Sequence, residues 1–96
     1  MPARSNRSVH VTISGRVQGV GFRWWTTRKA GALGIAGWVR NRLDGSVEAV
    51  FSGPPTAVAA MLKACEEGPM TATVSGVDVS DCEAPQTNGF AHRPTA

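Results

Sequence analysis

Val9, Val11 and Ile13 alternate with His10, Thr12 and Ser14, and a period of two in β-branched residues predicts a half-buried strand. Gly15 to Gly21 follows, a glycine-bearing stretch ill suited to continuing that strand. From Phe22 the period changes: Phe22, Thr26, Ala30 and Leu33 recur at steps of three and four, one face of a helix. Gly34 stands where such a helix takes a left-handed residue to end, and Gly31 weakens its last turn by about 1 kcal/mol relative to alanine. Ile35 to Asn41 predicts a second strand with Ile35, Gly37, Val39 and Asn41 on one face. Asp44-Gly45 is a hairpin turn signal, and Val47 to Ser52 predicts the third strand, with Val47, Ala49 and Phe51 facing one way.

Gly53-Pro54-Pro55 opens a second helix, because proline fits the first turn. Val58, Met61, Leu62 and Cys65 give its buried stripe, and Gly68-Pro69 ends it. Thr71 to Ser80 predicts a fourth strand whose phase slips between Val74 and the pair Val77 and Val79; a bulge near Ser75-Gly76 reconciles them. Residues 82 to 88 read as loop, and Phe90 to Arg93 as a short last strand stopped at Pro94, which restricts it to a sheet edge. The order βαββαβ predicts an α+β, ferredoxin-like sandwich: two split βαβ units, an antiparallel sheet and both helices on one face. That fold hosts many unrelated activities, so function has to come from particular residues.

A chain of 96 residues is one domain, 1–96, with residues 1–7 expected as a disordered tail. No apolar run approaches the roughly 18 residues a membrane span needs, and the polar, basic start lacks the apolar core of a secretory signal, which points to the cytoplasm. Cys65 and Cys82 fit no zinc spacing and are expected as free thiols. The net charge of +3 favours anionic partners without selecting one.

The stretch Gly15-Arg16-Val17-Gln18-Gly19-Val20-Gly21-Phe22-Arg23 lies between the first strand and the first helix. A helix N-terminus carries unpaired N–H groups and partial positive charge, and so attracts phosphate. Gly19 and Gly21 let successive amides curl inward as an anion nest. Arg23, in the first helical turn, adds a planar fork of donors suited to phosphate oxygens. The chain lacks the Gly-Lys-Ser/Thr of a P-loop, and Trp24 stands where a dinucleotide fingerprint starting at Gly19 needs glycine.

Residues 15–23 resemble the phosphate-loop signature of the acylphosphatase family. Leu33-Gly34-Ile35-Ala36-Gly37-Trp38-Val39-Arg40-Asn41, with Asp44-Gly45-Ser46-Val47, resembles that family's second signature. The two occur in order and at the family's separation, and the likeness runs from about Val9 to Val79. It implies hydrolysis of acyl phosphates to a carboxylate and inorganic phosphate without metal or cofactor. It further implies catalytic roles for Arg23, which binds the substrate phosphate, and for Asn41, which positions the attacking water. The phosphate-binding residues would be Gln18, Gly19, Val20, Gly21, Phe22 and Arg23. The expected partner is a small acyl phosphate, with no nucleic acid, no membrane, and a monomeric state. Trp24-Trp25 replaces a more usual Tyr/Phe pair, and the chain departs from the family pattern mostly after residue 80.

A competing reading is a non-catalytic phosphate- or RNA-binding module of the same fold. RNA-recognition domains need closely spaced aromatics on the sheet, and Val47 to Phe51 supplies only Phe51. Asn41 before a hairpin is otherwise an ordinary turn residue. Arg16, Arg40 and Arg42 read as solvated or steering charges, Cys65 as core, Cys82 as a loop thiol, and the tryptophans as packing residues. His10 and His92 have no evident metal partner.

Overall fold

The alternating segment at the start of the chain forms β1 (Arg7–Arg16) and the first helical stripe forms α1 (Phe22–Leu33). They are followed by β2 (Ala36–Asn41), β3 (Val47–Gly53), α2 (Pro55–Glu67), β4 (Thr73–Asp81) and β5 (Phe90–His92). The computed structural model of the chain describes residues 6–86 and 88–96. The five strands make one sheet in the order β4-β1-β3-β2-β5. β1 pairs antiparallel with β3 and β4, and β2 pairs antiparallel with β3. The expected antiparallel sheet therefore holds for four strands, whereas β5 lies parallel to β2 at the far edge. The direction follows from the path: β4 runs opposite to β1 and leaves the sheet at the end where β2 begins, so a strand returning beside β2 must run with it.

The helix side of the sheet holds the core. Val9, Val11, Ile13, Val39, Val47, Ala49 and Phe51 are buried there against Phe22, Thr26 and Ala30 of α1 and Val58, Met61 and Cys65 of α2. Each large apolar side chain so removed from water stabilises the fold by about 1.5–3 kcal/mol. Thr26 is tolerated in this layer because its Oγ1 donates to the Phe22 carbonyl at 2.7 Å. Burial pushes the Cys65 thiol up to about 12, and neither it nor Cys82 is in a disulfide. Phe51 stacks on Phe90 at 5.8 Å within this layer. The aromatic offered for an RNA-binding sheet surface thus points away from that surface.

β1 runs two residues beyond its alternating stretch, through Gly15 and Arg16. The expectation that glycine would end it fails because the bulge lies opposite. Ser14 pairs with Gly76 and Gly15 with Val74, leaving Ser75 as the extra residue. Gly15 has φ +123°, and a Cβ there would collide with the Thr73 carbonyl oxygen, so only glycine lets the two strands pass. The bulge brings Val74 and Val77 onto the core side together. At the N-terminus, Arg7 already pairs with Gly53, so the strand takes in part of the expected tail, whose residues 1–5 lie outside the described residues. The expected loop at 82–88 has no regular structure at 82–85, and Thr87 lies outside the described residues.

Candidate active site

Because β3 runs antiparallel to both β1 and β2, the C-terminal ends of β1 and β2 lie at the same end of the sheet. The chain leaves β1 there, crosses residues 17–21, and enters α1. Buried Val17 and Phe22 anchor this crossing at both ends. Between them the backbone changes hand residue by residue: Gly19 has φ 73° and Gly21 φ 80°, while among the described residues no non-glycine residue has positive φ. Alternation of this kind turns successive N–H groups toward one concavity. Trp25 N–H makes the first helical bond, to Gly21 O at 3.0 Å, and among the described residues the amides of Gln18 to Trp24 donate to no other backbone group. The first turn of α1 contains no acidic residue to offset its positive end.

Two side chains hold the crossing in place, one from outside it and one from within. Thr71 Oγ1 donates to Val20 O at 2.7 Å. Peptide planarity then aims the Gly21 N–H the other way, away from Thr71. The Gln18 carboxamide donates from Nε2 to Arg42 O at 2.7 Å and to Ser46 O at 2.8 Å. That pair ties the crossing to the β2–β3 hairpin. The turn itself is braced by Asp44 Oδ1, which accepts from the Ser46 N–H at 2.9 Å and Oγ at 2.7 Å; these bonds hold the Asp44 carboxyl below its usual range.

Arg23 is the second residue of α1 and is half-buried. Among the described residues no carboxylate lies within ion-pair distance of it. Asn41 is the last residue of β2 and pairs with buried Val47. Two residues beyond buried Val39, it shares the helix-side face of the sheet, the face on which α1 begins. Its backbone is held on the other side as well, because Ala96 N–H donates to Asn41 O at 3.1 Å and Leu43 N–H to Ala96 O at 2.9 Å. The pairing beside β2 thus resumes after Pro94, where the sequence suggested a stop. Residues 18–22 and Arg23 form one continuous segment, and the Gln18 side chain ties that segment to the hairpin that follows Asn41. The Gln18 side chain, Thr71 and Ala96 were invisible to sequence reasoning, since each acts on a residue at least 24 positions away.

Other expected residues lie elsewhere. Arg40 Nε and Arg42 Nη1 bond Glu48 Oε1 at 2.6 and 3.1 Å, and His10 Nε2 bonds Oε2 at 2.5 Å, all on the open face of the sheet. The two guanidiniums thus share the single Glu48 carboxylate. Trp38 lies beside them with the Arg40 and Arg93 guanidiniums at 5.0 and 4.7 Å from its ring centroid. Trp25 packs on Phe22 at 5.3 Å, but Trp24 is 61% exposed, with Arg28 over its ring, and is not the packing residue expected. Among the described residues no group of three or more His, Cys, Asp or Glu is placed to hold a metal ion, and no helix is long and apolar enough to cross a membrane.

Comparison with known proteins adds an independent line. The family model described as acylphosphatase matches residues 9–92. A curated acylphosphatase of Rhodospirillum rubrum is 52% identical over 89 residues, covering 93% of this chain and 98% of that protein. One from Rhizorhabdus wittichii is 47% identical over 94 residues, covering 98% and 93%. The solved structure of an acylphosphatase from Coxiella burnetii superposes with a TM-score of 0.90 at 35% identity, over 97% of this chain and all of that one. With the ferredoxin-like sheet, the amide-lined crossing and both sequence signatures in place, the chain belongs to the acylphosphatase family.

Proposed function

We propose that this acylphosphatase cleaves the carboxyl–phosphate bond by direct attack of water on phosphorus, with Arg23 and the amides of residues 18–23 on the phosphoryl oxygens and Asn41 orienting the water. The observation that carries the reading is the crossing itself. Two left-handed glycines turn free amides to one side at the positive end of α1, with Arg23 in that same turn. A phosphoryl group seated there has three oxygens to be matched by N–H donors, and the guanidinium adds a bidentate pair.

The chemistry asks little else of the protein. The leaving group is a carboxylate, whose conjugate acid has a pKa of about 4, so it departs without a general acid. Phosphoryl transfer rests mainly on charge stabilisation and in-line positioning. Asn41 offers a carbonyl oxygen to accept from water and an amide to donate to it. Water adds to phosphorus as the P–O bond to the acyl group breaks with its electron pair. The water's proton passes to a phosphoryl oxygen, and the products are a carboxylate and inorganic phosphate. No step calls for a metal or a covalent phosphoenzyme.

Hydrolysis of benzoyl phosphate in heavy-oxygen water, with EDTA present, tests this route. The label is expected in phosphate and not in benzoate, at a rate the chelator does not change. Label in benzoate would place the attack on the carbonyl carbon and overturn the assignment of the loop as the reacting centre.

A further inference from the structure

The Gln18 side chain makes contacts that phosphate binding by its backbone does not require. Its single amide nitrogen spends both hydrogens on the hairpin, one on Arg42 O at 2.7 Å and one on Ser46 O at 2.8 Å. Both acceptors are carbonyls, which fixes the amide's orientation. Arg42 directly follows Asn41, and Ser46 directly precedes Val47, the residue paired with Asn41. The carboxamide therefore grips the carbonyls of the two residues that flank the Asn41–Val47 pair on its turn side. It reaches them from the segment whose own amides line the phosphate concavity.

Neither carbonyl depends on Gln18 for satisfaction. Arg42 O also accepts the Gly45 N–H at 3.1 Å, and Ser46 O the Arg42 N–H at 2.8 Å. The hairpin is further held from the open face by the Arg42–Glu48 pair at 3.1 Å. Removing the carboxamide thus leaves no buried carbonyl orphaned and the turn intact; what it removes is the tie between the turn and the loop.

We infer that Gln18 is a positioning residue: its side chain sets the separation between the phosphoryl group in the loop and the water on Asn41, and so governs turnover rather than phosphate affinity. The inference rests on the roles proposed above for the loop and Asn41. A misplacement of reacting groups by about 1 Å costs on the order of a hundredfold in rate, so a slackened tie should be read in kcat.

The experiment compares Gln18→Ala, Gln18→Glu, Asn41→Ala and the double variant Gln18→Ala/Asn41→Ala on benzoyl phosphate, with inorganic phosphate as inhibitor. Gln18→Ala should lower kcat by about 10- to 100-fold and leave the phosphate inhibition constant at its wild-type value. In the Asn41→Ala background the same change should cost far less, because there is no longer an oriented water to misplace. Gln18→Glu sets a carboxylate against two carbonyls. Its kcat relative to wild type should rise as pH falls and the protonated carboxyl regains one donor, whereas the ratio for Gln18→Ala stays flat. An equal cost in both backgrounds, or weakened phosphate inhibition at unchanged kcat, would overturn the inference. Asn41→Ala with wild-type kcat would instead fell the reading on which it rests. Asn41→Ala slow beside Gln18→Ala at wild-type speed would fell this inference alone.

Discussion

Glu48 shows how one residue can matter to stability while standing outside the chemistry. Burial alone would raise its carboxyl, but hydrogen bonds from His10, Arg40 and Arg42 outweigh that and hold it down from 4.5 to about 2. A carboxyl depressed in the folded state binds protons more tightly when unfolded. Its contribution is therefore complete above about pH 4.5 and is lost as pH falls through about 2. The contribution is on the order of 2–3 kcal/mol. Urea denaturation followed from pH 6 downward should show wild type losing more stability across this window than Glu48→Gln, which has no proton to take up. Parallel curves for the two proteins would show that the cluster contributes nothing through ionisation. Because the cluster faces the open side of the sheet and Asn41 the helix side, kcat at neutral pH should be far less sensitive to this change than to any change at Asn41.

Two glycines make opposite predictions at the scale of the element. Gly37 lies inside β2 with φ +138°, and a Cβ there would run into the Val50 carbonyl oxygen of the neighbouring strand. Gly37→Ala should cost about 3 kcal/mol or more, since backbone strain and a collision with immovable backbone add. Gly31 sits on the exposed side of α1, where an added methyl would meet nothing within 4 Å, and Gly31→Ala should stabilise by about 0.5–1 kcal/mol. Chemical denaturation of both variants checks the pair, and a shift of the same sign in both would contradict it. These two glycines also mark how far the elements were legible. The period-two and helical stripes placed β1 to β4 and both helices, and the phase slip of Val74 against Val77 located the bulge at Ser75. Periodicity carries no information on what lies across a strand. It therefore missed that Gly15 extends β1 past the bulge, that β5 joins parallel to β2, and that the chain pairs again with β2 at Ala96 after Pro94.

At the scale of the whole molecule, the candidate site exists only when the sheet is assembled. The crossing that leads from β1 into α1 is tied to the β2–β3 hairpin and to Thr71, and the end of β2 to Ala96, because β1 and β2 end on the same side. The signatures at 15–23 and 33–47 were readable because each is local, one a glycine-bearing crossing into a helix and the other a strand ending in a hairpin. The ties among them were not, since Gln18 to Arg42 and Thr71 to Val20 are products of the fold. The division of labour across this assembly is the central claim, and steady-state kinetics of Arg23→Ala and Asn41→Ala on benzoyl phosphate, with inorganic phosphate as inhibitor, test it most directly. Asn41→Ala should lower kcat by about 10²–10³ with phosphate inhibition unchanged. Arg23→Ala should lose phosphate inhibition and turnover together, by about 10³ or more in rate. Loss of phosphate binding in Asn41→Ala at unchanged kcat, or wild-type phosphate inhibition in Arg23→Ala, would contradict the account.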